Sequence, residues 1–220
     1  SDLILTYHVI GSEIDSTAAI SSAGSTVEMV NGDSTGLSLD GDSLLVNTVT
    51  VTTVDVEADN GVIHVIDAVL IPPVDKGTPT MNIVDTAVAA GDFGTLVTAL
   101  QAAGLDATLA DETQSFTVFA PTDAAFAMID PDTLDLLLAD TDALSDVLLQ
   151  HVVSGEVSSV TAYTLNGLSA TTASGAEIPV AINSELDTLT FGGATVTTTD
   201  IYTTNGVIHV IDMVVVADVE

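Results

Sequence analysis

Three stretches of the chain carry residues that could do chemistry. Gly32-Asp33-Ser34-Thr35-Gly36 has the G-x-S-x-G spacing of a serine hydrolase, with Ser34 as nucleophile. That chemistry needs a strand, a sharp turn and then a helix to present the hydroxyl. The residues that follow, "LSLDGDSLLV", alternate like a strand and carry no helical period. Gly and Asp there read as hairpin turn residues, so a hydrolase is not expected. The same stretch also follows a calcium loop loosely, with Asn31, Asp33, Thr35, Gly36 and Asp42 in register. Flanking helices are not legible, and Asp42 stands where the loop needs a bidentate Glu. What is left is a weak surface site for calcium or other cations among Asp33, Asp40 and Asp42, and no other cofactor. The third set is four histidines, His8, His64, His151 and His209. Their spacing is too wide for a ligand cluster, so no histidine metal centre is expected. Each follows apolar residues, and each reads as a structural histidine bonded to backbone.

The elements that would position these residues belong to an unusual chain. It has 220 residues, 32 Asp+Glu against a single basic residue, a net charge of −31, and yet 47% hydrophobic residues. An acidic disordered tail would be apolar-poor, so this chain has a core. Its surface repels itself at low salt. Screening near 1 M salt, where the Debye length is about 3 Å, removes most of that cost. The composition therefore reads as halophilic. Nucleic-acid binding is excluded, because phosphate contacts need Lys and Arg. Cysteine is absent. No apolar run reaches the ~18 residues of a membrane span. Ser1 reads either as the residue after a removed leader or as the start of a fragment.

An internal repeat organises the chain. "NGVIHVID" occurs at 60–67 and again at 205–212, whereas "FTVFAPTDAAF" (116–126) occurs once. "LILTYHVIGSEI" (3–14) resembles "VLLQHVVSGEVS" (147–158), so His8 matches His151 at an offset of 143. His64 matches His209 at an offset of 145. Residues 80–150 have no counterpart in the first copy. They read as helices around one buried strand, 116–120. Asp92 is expected to cap a helix with Phe93, Leu96, Val97 and Leu100 inward, ending at Gly104. Thr122 caps the turn after the strand. Asp130-Pro131 opens another helix, and Thr141 caps the next, with Leu144, Val147 and Leu148 inward. The boundaries that follow are 1–73, the back half of a first domain; 74–79, a Pro/Gly linker; and 80–220, a complete domain.

At these residues the chain resembles the fasciclin domain family. The likeness rests on "FTVFAPTDAAF", with Thr122 and Asp123, and on "NGVIHVIDAVLIPP" and "NGVIHVIDMVVV", with His64-Asp67 and His209-Asp212. It also rests on the elements around Tyr7-His8 and Gln150-His151. The resemblance implies an α+β fold, a β-sandwich or wedge with helices packed along one side, in tandem domains. It implies a secreted or cell-surface protein with an adhesive or structural role and no catalysis. Its partners would be other fasciclin domains, neighbouring copies of itself, or matrix and cell surface, as a tandem array or filament. In some animal members the Tyr-His region is linked to integrin binding; Gln150 replaces that tyrosine in the second copy. A second implied reading is a module binding an apolar ligand such as a carotenoid or lipid. The 4% aromatic content and lack of Trp argue against it. In the half domain the inward residues Val46, Val49, Val51, Val54, Ile63 and Val65 are expected to need a cover.

Overall fold

The computed structural model describes residues 2–184 and 186–216. In chain order the first part forms α1 (Asp2–Thr6), α2 (Ser16–Ser21), β1 (Ser25–Glu28), β2 (Ser34–Asp40), β3 (Ser43–Val46), β4 (Val49–Ala58) and β5 (Gly61–Ile66). After the linker come α3 (Ile83–Ala90), α4 (Gly94–Ala102), α5 (Asp106–Leu109), β6 (Phe116–Pro121), α6 (Asp123–Phe126), α7 (Pro131–Ala139), α8 (Thr141–Leu149) and β7 (Val152–Ser154). The chain ends through α9 (Ser159–Tyr163), β8 (Leu168–Thr171), β9 (Glu177–Asn183), β10 (Thr188–Phe191), β11 (Ala194–Thr203) and β12 (Gly206–Ile211).

Two compact units result. The first holds the residues up to Val74 together with 159–168 and the described part of 180–189. Its sheet is an antiparallel meander in the order β1-β2-β3-β4-β5. Tyr7, Met29, Val49 and Leu70 form a small core beneath it. Helix α9 lies across β2 at Gly36. A β-carbon there would come within 2.7 Å of the Val160 carbonyl oxygen, so the approach requires glycine. Asn166 ties the added segments in. Its Nδ2 donates to the Leu39 carbonyl at 3.0 Å, and its Oδ1 accepts from the Ile182 N–H at 2.7 Å. The proposed boundary at residue 80 is thus a boundary in sequence, while contacts draw part of the second copy into the first unit.

The second unit is built around strand β6, buried along its whole length. The sheet order is β7-β6-β12-β11-β10-β9-β8, and β6 runs parallel to β12. The parallel pair has helices over it. Ile83 of α3, Leu96 and Leu100 of α4, and Leu144 and Leu148 of α8 share one core with Phe116, Val118, Ile208 and Val210. The fold is α+β with helices packed beside a sheet. Gly104, at φ 68°, closes the α4 region as expected, and the Leu105 N–H donates to the Leu100 carbonyl. Two caps differ from expectation. Helix α4 is capped by Asp123, whose carboxylate accepts the Gly94 and Thr95 N–H groups at 3.2 and 2.7 Å, and not by Asp92. Asp140 replaces Thr141 as the cap of α8, accepting from Asp142 and Ala143. Thr122 and Asp130 cap as expected.

Candidate functional site

The two copies of Gly-Val-Ile-His-Val-Ile form β5 and β12, identical in sequence and different in surroundings. Strand β12 has β11 antiparallel on one side and β6 parallel on the other, and every residue of it is buried. Strand β5 has β4 on one side and ends its sheet on the other. Ile63 is 55% exposed where Ile208 is 1%, and Val65 is 45% exposed where Val210 is 8%. The same contrast holds for the helix entering each copy. Leu5 of α1 is 67% exposed, while its counterpart Leu148 in α8 is 3%. Of the residues expected to need a cover, Val54, Ile63 and Val65 are open to solvent and Val46 and Val51 are half-buried, while Val49 is buried in the unit's own small core.

Between the segment that follows α1 and strand β5 lies an apolar cavity of about 400 Å³, lined by Ile10, Met29, Leu37, Val62 and Leu70, with Val46 and His64 in its wall. In the second unit the counterparts of Val46 and His64 are Phe191 and His209. Both are occupied there by the Phe119 ring, stacked on Phe191 at 3.7 Å between centroids and lying 5.3 Å from His209.

Two glycines and two asparagines mark the register. A β-carbon on Gly206 would collide with the Phe116 carbonyl oxygen, so glycine there admits the parallel strand; a β-carbon on Gly61 would meet nothing within 4 Å. Asn205 accepts the Ile83 N–H at 2.9 Å and donates to the Leu109 carbonyl at 2.8 Å, joining the β11–β12 turn to the helical segment. Its counterpart Asn60 is exposed.

The histidines are stitches between backbone segments, in two matched pairs. Leu70 donates its N–H to His8 Nε2 at 3.0 Å, and Val215 donates to His151 Nε2 at 2.9 Å. The Nδ1 of each then faces a carbonyl one helical turn back, Ile4 at 2.7 Å and Val147 at 2.8 Å, as the donor. His64 and His209 take the other tautomer. Asp55 and Asp200 donate backbone N–H to Nδ1 at 3.4 and 3.2 Å, leaving Nε2 to donate to the Ile14 and Val157 carbonyls. Burial lowers the His151 pKa to about 4 and also lowers that of His209. With both ring nitrogens engaged, none of the four is free to bind a metal. His8 departs from the inward placement read from its spacing: it is exposed, whereas its counterpart His151 is buried.

Asp55 and Asp200 are two positions that motif and spacing do not single out. Both hold positive φ, 56° and 59°, within irregular stretches of β4 and β11. The offset of 145 that pairs the histidines pairs them too, and an Asp inside a β-branched run was the available clue. Burial, then the Asp200 charge, pushes the Tyr202 hydroxyl up to about 12. Asp67 and Asp212 close the ends of their hairpins by accepting the Thr50 and Thr195 N–H groups.

Tyr7 is fully buried. Its hydroxyl donates to the Ser34 carbonyl at 2.9 Å and accepts from Asn47 Nδ2 at 3.0 Å, so its side chain is not presented to a partner. The counterpart of Asn47 is Gly192, where a β-carbon would lie 2.5 Å from Val215. The Tyr7–Asn47 pair of the first copy thus becomes Gln150 and Gly192 in the second. Ser34 begins β2, and strand rather than helix follows it, as its surroundings predict. Asp33 and Asp40 flank opposite ends of that strand, roughly 20 Å apart at strand rise, with Asp42 beyond Asp40. They do not converge, and among the described residues no group of three or more acidic or histidine side chains is placed to hold a metal. Lys76 sits between the Glu156 carboxylate oxygens at 2.6 and 2.7 Å and lies 5.6 Å from the Tyr202 ring centre.

A sheet whose last strand is matched elsewhere in the same chain by a fully covered copy defines a repeated α+β module with one cover missing among the described residues. The chain belongs to the fasciclin domain family, whose model matches residues 2–72 and 91–217. It is 34% identical over 164 residues to the pig transforming growth factor-beta-induced protein ig-h3, which covers 74% of this chain and 22% of that protein. The uncharacterised protein sll1735 of Synechocystis is 40% identical over 137 residues, covering 61% of this chain and 96% of its own length. Human periostin is 31% identical over 165 residues, 73% of this chain and 18% of that protein. The chain therefore spans about a fifth of the length of the animal relatives it matches. The fold matches a fasciclin domain pair from the insect protein fasciclin I at TM-score 0.53 and 19% identity, over 98% of this chain and 80% of that one. Among the described residues no helix is long and apolar enough to cross a membrane.

Proposed function

We propose that this chain is an adhesive or structural module working outside the cell, through contacts between fasciclin domains or between a domain and matrix. Residues 1–73 act as the back half of one domain, 74–79 as linker and 80–220 as a complete second domain. The observation that carries the reading is the tandem repetition of one α+β module, with the family model matching both copies, residues 2–72 and 91–217. Fasciclin I is described as an insect cell adhesion molecule, which favours the same reading. Other fasciclin domains, neighbouring copies and matrix are the partners. Fasciclin domains serve as adhesion and structural modules, and the histidines, Asp67, Asp212, Thr122 and Asp123 are assigned structural roles here. The acidic surface suits salt-rich surroundings, with loosely held cations as its counterions. Beads coated with the chain should cluster in about 1 M salt, where repulsion is screened. Beads that stay dispersed at every salt concentration, alone and with beads carrying a second fasciclin protein, would sink it.

The 400 Å³ cavity favours a second reading, an apolar small-ligand site. Extraction of the purified protein with organic solvent, followed by mass spectrometry, tests it; an empty extract counts against it.

A further inference from the structure

The chain has 32 carboxylate side chains and one Lys or Arg, and the fold brings that residue, Lys76, to the β11–β12 hairpin. We infer that residues 75–83 are a strap laid along that hairpin, buckled by Lys76 on Glu156 and the Tyr202 ring, closed in weak salt and loosened in strong salt. The strap and all its attachment points belong to the second unit.

Local sequence sets Lys76 at the tip of a turn. Asp75 accepts the Gly77 N–H at 3.0 Å, and Gly77 holds a φ of 55°, which suits glycine. From that tip the Lys76 Nζ donates to both carboxylate oxygens of Glu156, at 2.7 and 2.6 Å. It also lies 5.6 Å from the Tyr202 ring centre, within cation–π range. Two backbone ties continue the strap. The Thr204 N–H donates to the Met81 carbonyl at 2.8 Å, and the Ile83 N–H donates to Asn205 Oδ1 at 2.9 Å. Residues 202, 204 and 205, the end of β11 and the turn after it, thus hold the strap in succession. The ring is particular to this copy: the repeat offset of 145 puts Glu57 at the position of Tyr202.

The backbone ties join neutral groups, so salt acts on the buckle. Lys76 is 50% exposed and Glu156 30%, the setting in which an ion pair is modest and screened. At about 0.01 M salt the Debye length is about 30 Å, and the surrounding carboxylates add to the pull of Glu156. Near 1 M it is about 3 Å, and only groups in contact count. No second Lys or Arg competes for the Glu156 carboxylate.

Acetylation of Lys76 in the whole chain by a neutral N-hydroxysuccinimide ester is the test. The unprotonated amine takes the acetyl group as an amide and N-hydroxysuccinimide leaves; the buckle keeps the amine protonated and covered. The rate is read by mass spectrometry of the peptide that carries Lys76. At about 0.01 M salt, Glu156→Gln should speed acetylation about fivefold, the factor for an exposed ion pair at the top of its usual range. Near 1 M salt the two rates should converge. Glu28→Gln removes the same charge from an exposed position on β1 and should leave the rate unchanged. Amide exchange within 206–211, followed in the same samples, separates unbuckling from unfolding. Should Glu156→Gln unfold the unit, Glu156→Asp decides: it keeps the charge, withdraws the carboxylate by one methylene, and should still speed acetylation. Equal rates for the native chain and the folded Glu156 variant at low salt overturn the inference. So does a rate ratio unchanged near 1 M salt, or an equal acceleration by Glu28→Gln.

Discussion

The identical strands allow one substitution to be made twice with the same neighbours in sequence. Ile208→Ala removes a side chain that is 1% exposed, within a core shared with Phe116, Leu96 and Leu144. Such truncations cost about 2–5 kcal/mol, part lost transfer energy and part cavity. Ile63→Ala removes the same atoms from a position already 55% exposed. Less than half of the transfer energy is then at stake, and a side chain open to water leaves no closed cavity, so the cost is about 1 kcal/mol or less. The expected difference is at least about 1–2 kcal/mol, roughly five- to thirtyfold in local opening. Because two units need not unfold together, the assay is amide exchange against urea, with peptides from each unit followed separately. Equal destabilisation would mean that β5 is covered in solution as β12 is, and the account of the open edge would be wrong.

Other predictions follow from the same contacts. His151 is lowered to about 4 in the folded chain against 6.5 as a free side chain. The unfolded chain thus binds more protons between those values, and stability is present above about 6.5 and lost progressively as pH falls to about 4, by up to roughly 3 kcal/mol. Acid titration followed by exchange in the second unit should show it, and His151→Gln should flatten the curve. Asn205→Ala strands the buried Ile83 N–H and Leu109 carbonyl, at about 1–3 kcal/mol for each group left unpaired, whereas Asn60→Ala should be nearly neutral. Urea midpoints for the two variants make the comparison. With a net charge of −31, the melting temperature should rise as salt goes from about 0.01 M to about 1 M, the Debye length shrinking from about 30 to about 3 Å. A flat response by calorimetry would count against charge repulsion as the main cost at low salt.

What could be read from sequence was whatever is local or repeated. The 143 and 145 offsets located both strand blocks, and the β6 strand, its Thr122 cap and the Asp130-Pro131 start followed from short-range rules. Misses arose where a partner lies far along the chain. Asp92 is well placed in sequence to cap α4, yet the Asp123 carboxylate reaches that helix end from 29 residues away. Local spacing faces His8 inward as it does His151, but spacing does not show what packs over a face, and only His151 is buried. The loops gave no hint that Gly36 makes room for Val160, which brings 159–168 into the first unit. The acidic loop resembles a cation site in composition alone; the strand Ser34–Asp40 inside it keeps Asp33 away from Asp40 and Asp42.

Lys76 has a further consequence. A protease that cuts after basic residues finds one susceptible bond in these 220 residues, Lys76–Gly77. The lysine that marks it is engaged by Glu156 and half exposed. Cleavage there would separate the two sequence repeats, yet it would not free the first unit. That unit also contains 159–168, anchored on β2, and these residues stay on the other fragment. A nicked chain should run as two bands under denaturing conditions and as one particle under native ones. For such a protease, the one susceptible bond in these residues is therefore bridged by the fold.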